Sequence, residues 1–219
     1  MEQGNRKVEE SAGGSAVVER ILTVVGEEVG RVGPDRVRMG VVAERAHVSR
    51  ASLYRYFASK DDLILAFTMR EVDRIFVLMD DAINEYEDWG DRVCAAFTFA
   101  VTALDDHEAF QTFLKYGERR ILQITLLSSE ALDHARDLTI ERLNNEIRAG
   151  RLAFEPFDAM VAAEIMVRLG ISMMATPNSV TRLATQADTM LFAKRYIVPV
   201  MIAMGATPLD TKKGTAKEA

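Results

Sequence analysis

Apolar positions recur at helical spacing along almost the whole chain. Val18, Ile21, Leu22, Val25 and Val29 share one face of a helix that Ser15 can cap and Gly33-Pro34 stops. A short helix over 38–46 follows, with Val42 and Ala43 inward, and Ser49 can cap another whose inward residues are Leu53 and Phe57. Ser59 opens the next helix. Asp62, three residues on, is close to a capping-box position and favours the helix dipole. Nothing breaks that pattern until Trp89-Gly90, so it predicts some 28 residues of helix, roughly 42 Å, long enough to join a head to a body.

The pattern stays helical beyond Gly90. Val93, Ala96, Phe97, Ala100, Val101 and Leu104 form one stripe. Shorter helices are expected near 108–116, with Phe110, Phe113 and Leu114, and from about residue 117. Ser128-Ser129-Glu130 opens a helix ending at Gly150, with Leu132, Ala135, Leu138 and Ile147 inward. Pro156 suits the first turn of a helix that ends before Pro177, and the last helix covers 185–204, kinked or restarted at Pro199. No strand-like alternation or internal repeat interrupts the series. The expected fold is all-α with about nine helices. Residues 1–14 and 205–219 read as flexible tails flanking a head over 15–60 and a body over 61–204.

Composition narrows the class. The hydrophobic share is 48% and the charged share 27%, as in an ordinary globular domain. A single cysteine, Cys94, permits no internal disulfide and fits a reducing cytoplasm. No apolar run approaches the ~18 residues of a membrane span, and MEQGNRKVEESAGG lacks the apolar core of a secretory signal. The net charge of -6 argues against a polyanionic partner only until it is mapped. Residues 31–60 hold seven basic groups (Arg31, Arg36, Arg38, Arg45, Arg50, Arg55, Lys60) against Asp35 and Glu44, a local +5. A basic patch on an acidic body is the footprint of a polyanion binder, although a solvated charged face has the same composition.

The two short helices over 38–57, joined by a tight turn, read as a helix-turn-helix, whose second helix enters the DNA major groove. Ser49, Arg50, Ser52, Tyr54, Arg55 and Tyr56 supply hydroxyls and guanidinium groups able to meet phosphates and base edges. The stretch VRMGVVAERAHVSRASLYRYFASKDDLIL resembles the DNA-binding head of the TetR family of bacterial regulators. The resemblance covers 21–65 and is carried by Val42-Ala43, Glu44-Arg45-Ala46, Val48-Ser49, Leu53-Tyr54, Tyr56-Phe57 and Ser59-Lys60. It implies that Arg50, Ala51 and Ser52 read bases and that Tyr54, Tyr56 and Lys60 meet phosphates; Ser49, Arg55, Arg38 and His47 are expected on the same surface. Two positions depart from the family pattern. Arg38 stands where Thr or Ser usually opens the first helix of the motif, and His47 stands where the turn usually holds Gly.

The last two helices are apolar all round, so one face can pack on the body while the other needs a partner. The resemblance implies a homodimer through a four-helix bundle of these helices, lined by Met160, Glu164, Val167, Arg168, Ile171, Met174, Phe192, Tyr196 and Val200. Glu164 and Arg168 form a favourable i,i+4 pair. A small apolar effector is expected in the body, among Phe97, Phe110, Phe113 and Tyr116, with Arg119, Arg120, Gln123 and His134 as polar anchors. The same residues also describe an ordinary core.

The whole predicts a cytoplasmic, ligand-responsive, dimeric repressor on a palindromic operator, with no cofactor, metal or membrane partner. A helical protein-interaction adaptor and a small helical enzyme are the alternatives. The nucleophile elbow, P-loop and dinucleotide glycine pattern are missing, and Cys94, His107 and His134 lack metal-ligand spacing.

Overall fold

The computed structural model describes residues 2–102, 129–175, 183 and 185–209, and the side chains of all these except 2–13, 174 and 175. The helices expected near 108–116 and from 117 lie outside the described residues. The described chain divides into two compact units, residues 2–71 and residues 72–102 with 129–209.

In the first unit α1 spans Glu2–Val32. It begins 13 residues before the expected start at Ser15, because Glu, Gln, Arg and Lys dominate its first turns and outweigh the cost of Gly4, Gly13 and Gly14. Ile21, Leu22, Val25 and Val29 are buried as the stripe requires. Gly33, at φ 79, ends the helix in a conformation closed to most side chains, and Pro34–Arg36 form a 3-10 turn. Helix α2 is Met39–Arg45 and α3 is Arg50–Tyr56. Helix α4, Lys60–Asn84, starts in this unit and ends in the other. The Ser59 hydroxyl caps α4 by accepting the Asp62 N–H at 3.1 Å and donating to the Asp62 carboxylate at 2.9 Å. Val42, Leu53, Leu63, Ile64 and Phe67 close the core against α1.

A carboxylate is buried beside that core. Glu28 is 2% exposed, and Arg31 (2.8 Å) and Arg45 both donate to it. The hydrogen bond from Arg31 is the largest influence on its carboxyl. With Arg45 it outweighs burial and holds the group below its ordinary value of 4.5. A folded-state value below the unfolded one means that the pair's stabilisation is present above about pH 4.5 and fades as pH falls through the folded value. Melting temperatures at pH 7 and about pH 3.5 should therefore differ less in Glu28→Gln than in the wild type, with the variant less stable at pH 7. An identical acid loss would remove Glu28 from the account.

In the second unit α5 is Trp89–Thr102, α6 is Ser129–Arg148 and α7 is Pro156–Ala175. Helix α8 runs through Gln186–Phe192, Ala193–Ile197 and Val198–Ala203 without leaving helical dihedrals. Helix α4 stops at Asn84, before the expected break at Trp89-Gly90, because Asp88 caps α5 through the Asp91 N–H at 3.0 Å. Arg92 donates to the carbonyls of Ile83 and Tyr86, both at 2.9 Å, and pairs with Glu146. Burial alone raises the Glu146 carboxyl, but hydrogen bonds from Arg151 and Arg92 outweigh it and hold the group low. The face of α5 that is fully buried holds Cys94, Ala95, Phe97 and Thr98, shifted from the predicted stripe, whose Val93, Ala96 and Ala100 are only half-buried.

Thr185 and Asp188 form a complete capping box for α8. A fresh α-helical stretch, Val198–Ala203, opens with Pro199 in its first turn, as the restart expected there requires. A π turn over Ala193–Ile197 joins that stretch to the one before it. The expectation of no strands fails at one place: Leu152–Ala153 pairs antiparallel with Thr207–Pro208. The Leu209 N–H also donates to the Arg151 carbonyl at 2.9 Å, and Ala206 is buried. The body therefore extends past 204 to Leu209, a pairing too short to leave any alternation in the sequence.

Candidate nucleic-acid interface

The α2–α3 turn decides how α3 is presented. Its backbone closes α2 with two hydrogen bonds, His47 N–H to the Glu44 carbonyl at 3.1 Å and Val48 N–H to the Ala43 carbonyl at 2.9 Å. That closure puts the intervening residue in the left-handed region, and His47 sits there at φ 54. The Arg20 guanidinium donates to the Ala46 carbonyl at 2.9 Å, setting a cation at the negative end of α2. His47→Gly is expected to stabilise the head by roughly 0.5 kcal/mol, since relief of about 1–2 kcal/mol of strain is offset by a freer unfolded chain. Urea titration reads this directly. A destabilised His47→Gly protein would show that the imidazole makes a contact worth more than the strain.

Ser49 then caps α3. Its hydroxyl accepts the Ser52 N–H at 3.0 Å and donates to the Ser52 hydroxyl, also at 3.0 Å, leaving the Ser52 proton free to donate outward. Leu53 is fully buried and Phe57 nearly so, which fixes the rotation of the helix. Ser49, Arg50, Ala51, Tyr54 and Arg55 are exposed in consequence, with Ser52 and Tyr56 half-buried at the margin. Tyr54 is 52% exposed. The Arg55 guanidinium lies 5.4 Å from the centre of the Tyr56 ring. Arg38 is exposed at the N-cap of α2 and supplies no side-chain cap. Lys60, in the first turn of α4, donates to the Asp35 carbonyl at 2.9 Å, so its ammonium is held beside the 3-10 turn with two protons left over.

The basic patch is smaller than residue counting implies. Arg31 is committed to Glu28, and Arg45 bridges Glu28 and Glu27, the latter at 2.7 Å. Among the described residues Arg36, Arg38, Arg50 and Arg55 have no carboxylate partner. Sequence reasoning missed the role of Glu28, although a carboxylate on the apolar stripe of α1 was a signal for a buried pair.

The other expected site residues fall in the second unit or outside the description. Phe97 is 6% exposed in a core with Cys94, Ala193 and Ile197, its ring 6.0 Å from that of Phe192. Burial in that core pushes the Cys94 thiol up to about 11. His134 is bonded to Asp73 at 2.8 Å on the surface of the unit. Phe110, Phe113, Tyr116, Arg119, Arg120 and Gln123 lie outside the described residues, as does His107.

Helices α7 and α8 each have a buried and an exposed apolar side. Ala159, Ala162, Ala163, Ala193, Ile197 and Met201 are buried, whereas Phe157, Met160, Ile165, Leu191, Tyr196, Val200 and Ile202 are exposed. Val167, Ile171 and Phe192 are half-buried, and the Met174 side chain lies outside the description. Glu164 and Arg168 form the expected pair at 2.9 Å, and Arg136 of α6 approaches Glu164 at 3.8 Å.

Residues 21–67 match the family described as "Bacterial regulatory proteins, tetR family". Three solved structures are similar over most of the chain. The transcriptional repressor QsdR of R. erythropolis, from the TetR family, has a TM-score of 0.64 at 16% identity, covering 86% of this chain and 95% of that one. The TetR family repressor AlkX of Dietzia sp. strain DQ12-45-1b, implicated in biodegradation of n-alkanes, gives 0.65 at 18%, covering 84% and 94%. RolR in complex with resorcinol gives 0.56 at 16%, covering 91% and 98%. At these identities the likeness is one of fold. Comparison with curated proteins finds no match.

Proposed function

Because the chain carries a TetR-family head at residues 21–67 and an all-α fold like that family's repressors, we propose that it is a sequence-specific DNA-binding transcriptional regulator. In this reading it is a cytoplasmic homodimeric repressor that a small apolar effector releases from a palindromic operator. The observation that carries the reading is the exposed face of α3. Arg50, Ala51, Tyr54 and Arg55 face outward on a capped helix whose rotation Leu53 fixes, with no acidic residue on it. One such helix fits the major groove, about 12 Å wide. Arg50, Ala51 and Ser52 are assigned to base edges, and Tyr54, Tyr56 and Lys60 to phosphates, with Ser49, Arg55, Arg38 and His47 on the same surface.

Two heads on a two-fold axis read half-sites one turn apart, about 34–36 Å. The exposed apolar side of α7 and α8 is the proposed dimer surface. An effector in the body must bind a DNA-incompetent conformer better than the competent one, or it shifts nothing. Helix α4, shared by both units, is the proposed carrier of that shift. RolR carries resorcinol, a small aromatic ligand, which supports an effector of that size here. The family and its solved relatives are regulators, which favours this reading over an enzyme. Among the described residues no helix is long and apolar enough to cross a membrane.

Duplex binding followed by fluorescence anisotropy across a salt series tests the reading. Lys60→Ala should weaken binding to every sequence and lower the salt slope by roughly 0.9. Arg50→Ala should relax base preference at one half-site position. An unchanged slope removes Lys60 from the phosphate set, and equal losses on specific and random DNA confine Arg50 to the backbone. A protein that ignores all duplexes at low salt leaves only the adaptor or the enzyme.

A further inference from the structure

Arg50 has a defined resting place that no hydrogen bond explains. It opens α3, is exposed, and among the described residues has neither an ionic nor a hydrogen-bonding partner. Its guanidinium nevertheless lies against the first turn of α2. Nη2, Cζ and Nε stand 2.9, 3.3 and 3.3 Å from where a Cβ on residue 40 would be. Gly40 is what makes that placement possible, since any other side chain would occupy the same space.

We propose that Gly40 is a specificity-determining position of the recognition surface, acting through Arg50 and without itself touching DNA. The missing Cβ lets the guanidinium lie back across α2, which sets the direction from which it reaches a duplex. This rests on the DNA-binding reading and goes beyond it by naming a positioning residue on the supporting helix. An arginine is long and flexible, so a Cβ at 40 costs the fold little and the adjustment falls on Arg50. Helix α2 also gains from a residue that favours helix more than glycine does. The signature is therefore an altered recognition surface on an undamaged head.

The experiment is a double-mutant cycle on the full chain, with the duplex selected by the wild type from a random pool as probe. Gly40→Ala should keep or raise the melting temperature. It should weaken the selected duplex about 3- to 10-fold and shift base preference at the position that Arg50→Ala relaxes. In an Arg50→Ala background the same change should alter affinity by less than about 2-fold. Gly40→Ser, which adds the same Cβ, should repeat both results. Equal effects of Gly40→Ala with and without Arg50 would overturn the proposal, because they would place residue 40 itself against DNA. No effect in either background would overturn it too, as would loss of folding in both variants. A wild type that selects no duplex would instead sink the DNA-binding reading beneath it.

Discussion

Leu53→Ala is expected to lower stability by about 3 kcal/mol, within the 2–5 kcal/mol typical of emptying a fully buried leucine site, and to abolish duplex binding. The size of the effect follows from how α3 is held. The helix is only 7 residues long, too short to persist alone, and Leu53 is its one fully buried side chain. Leu53 packs in the cluster of Ile21, Val25, Val42, Ile64 and Phe67, so the cavity would open between α3 and the helices that carry it. Thermal unfolding followed by circular dichroism, with anisotropy on a selected duplex, reads both consequences. Wild-type stability in this variant would mean that α3 is anchored by something other than the core described.

The second large effect is expected on assembly. Tyr196→Asp combined with Val200→Asp changes side chains that are 48% and 44% exposed, so the isolated chain should lose little stability. If these residues seal a dimer, two carboxylates buried there without partners should split it. Sedimentation should then report a monomer. Affinity for an inverted-repeat duplex should fall by about 10²–10⁴, the advantage conferred by linking two weak heads. A dimer of unchanged duplex affinity would move the interface away from this face of α8.

The elements legible in the sequence were those set by local rules. Ser49 and Ser59 cap where their side chains predict, Gly33-Pro34 stops α1, and the burial of Val42, Ala43, Leu53 and Phe57 follows from spacing alone. The features that escaped depend on partners distant in sequence. Arg45 looked like part of a DNA-facing patch until the fold brought Glu27 and Glu28, 18 and 17 residues away, against it. Lys60 finds the Asp35 carbonyl 25 residues back, and His134 finds Asp73 across 61. The 152–153 and 207–208 pairing leaves no periodic trace because each strand has 2 residues. Pro199 marked the restart at Val198–Ala203, but the π turn just before it is a backbone adjustment that composition does not encode. His47 is the opposite case, since its left-handed backbone was legible from the glycine usual at that turn.

Selection of duplexes from a random pool by the purified full chain tests the central claim most directly. The account predicts enrichment of an inverted repeat, its half-site centres one helical turn apart or a whole number of turns, with affinity falling log-linearly as salt rises. Failure to enrich any sequence at low ionic strength, or recovery of a single asymmetric site bound by one chain, would contradict it.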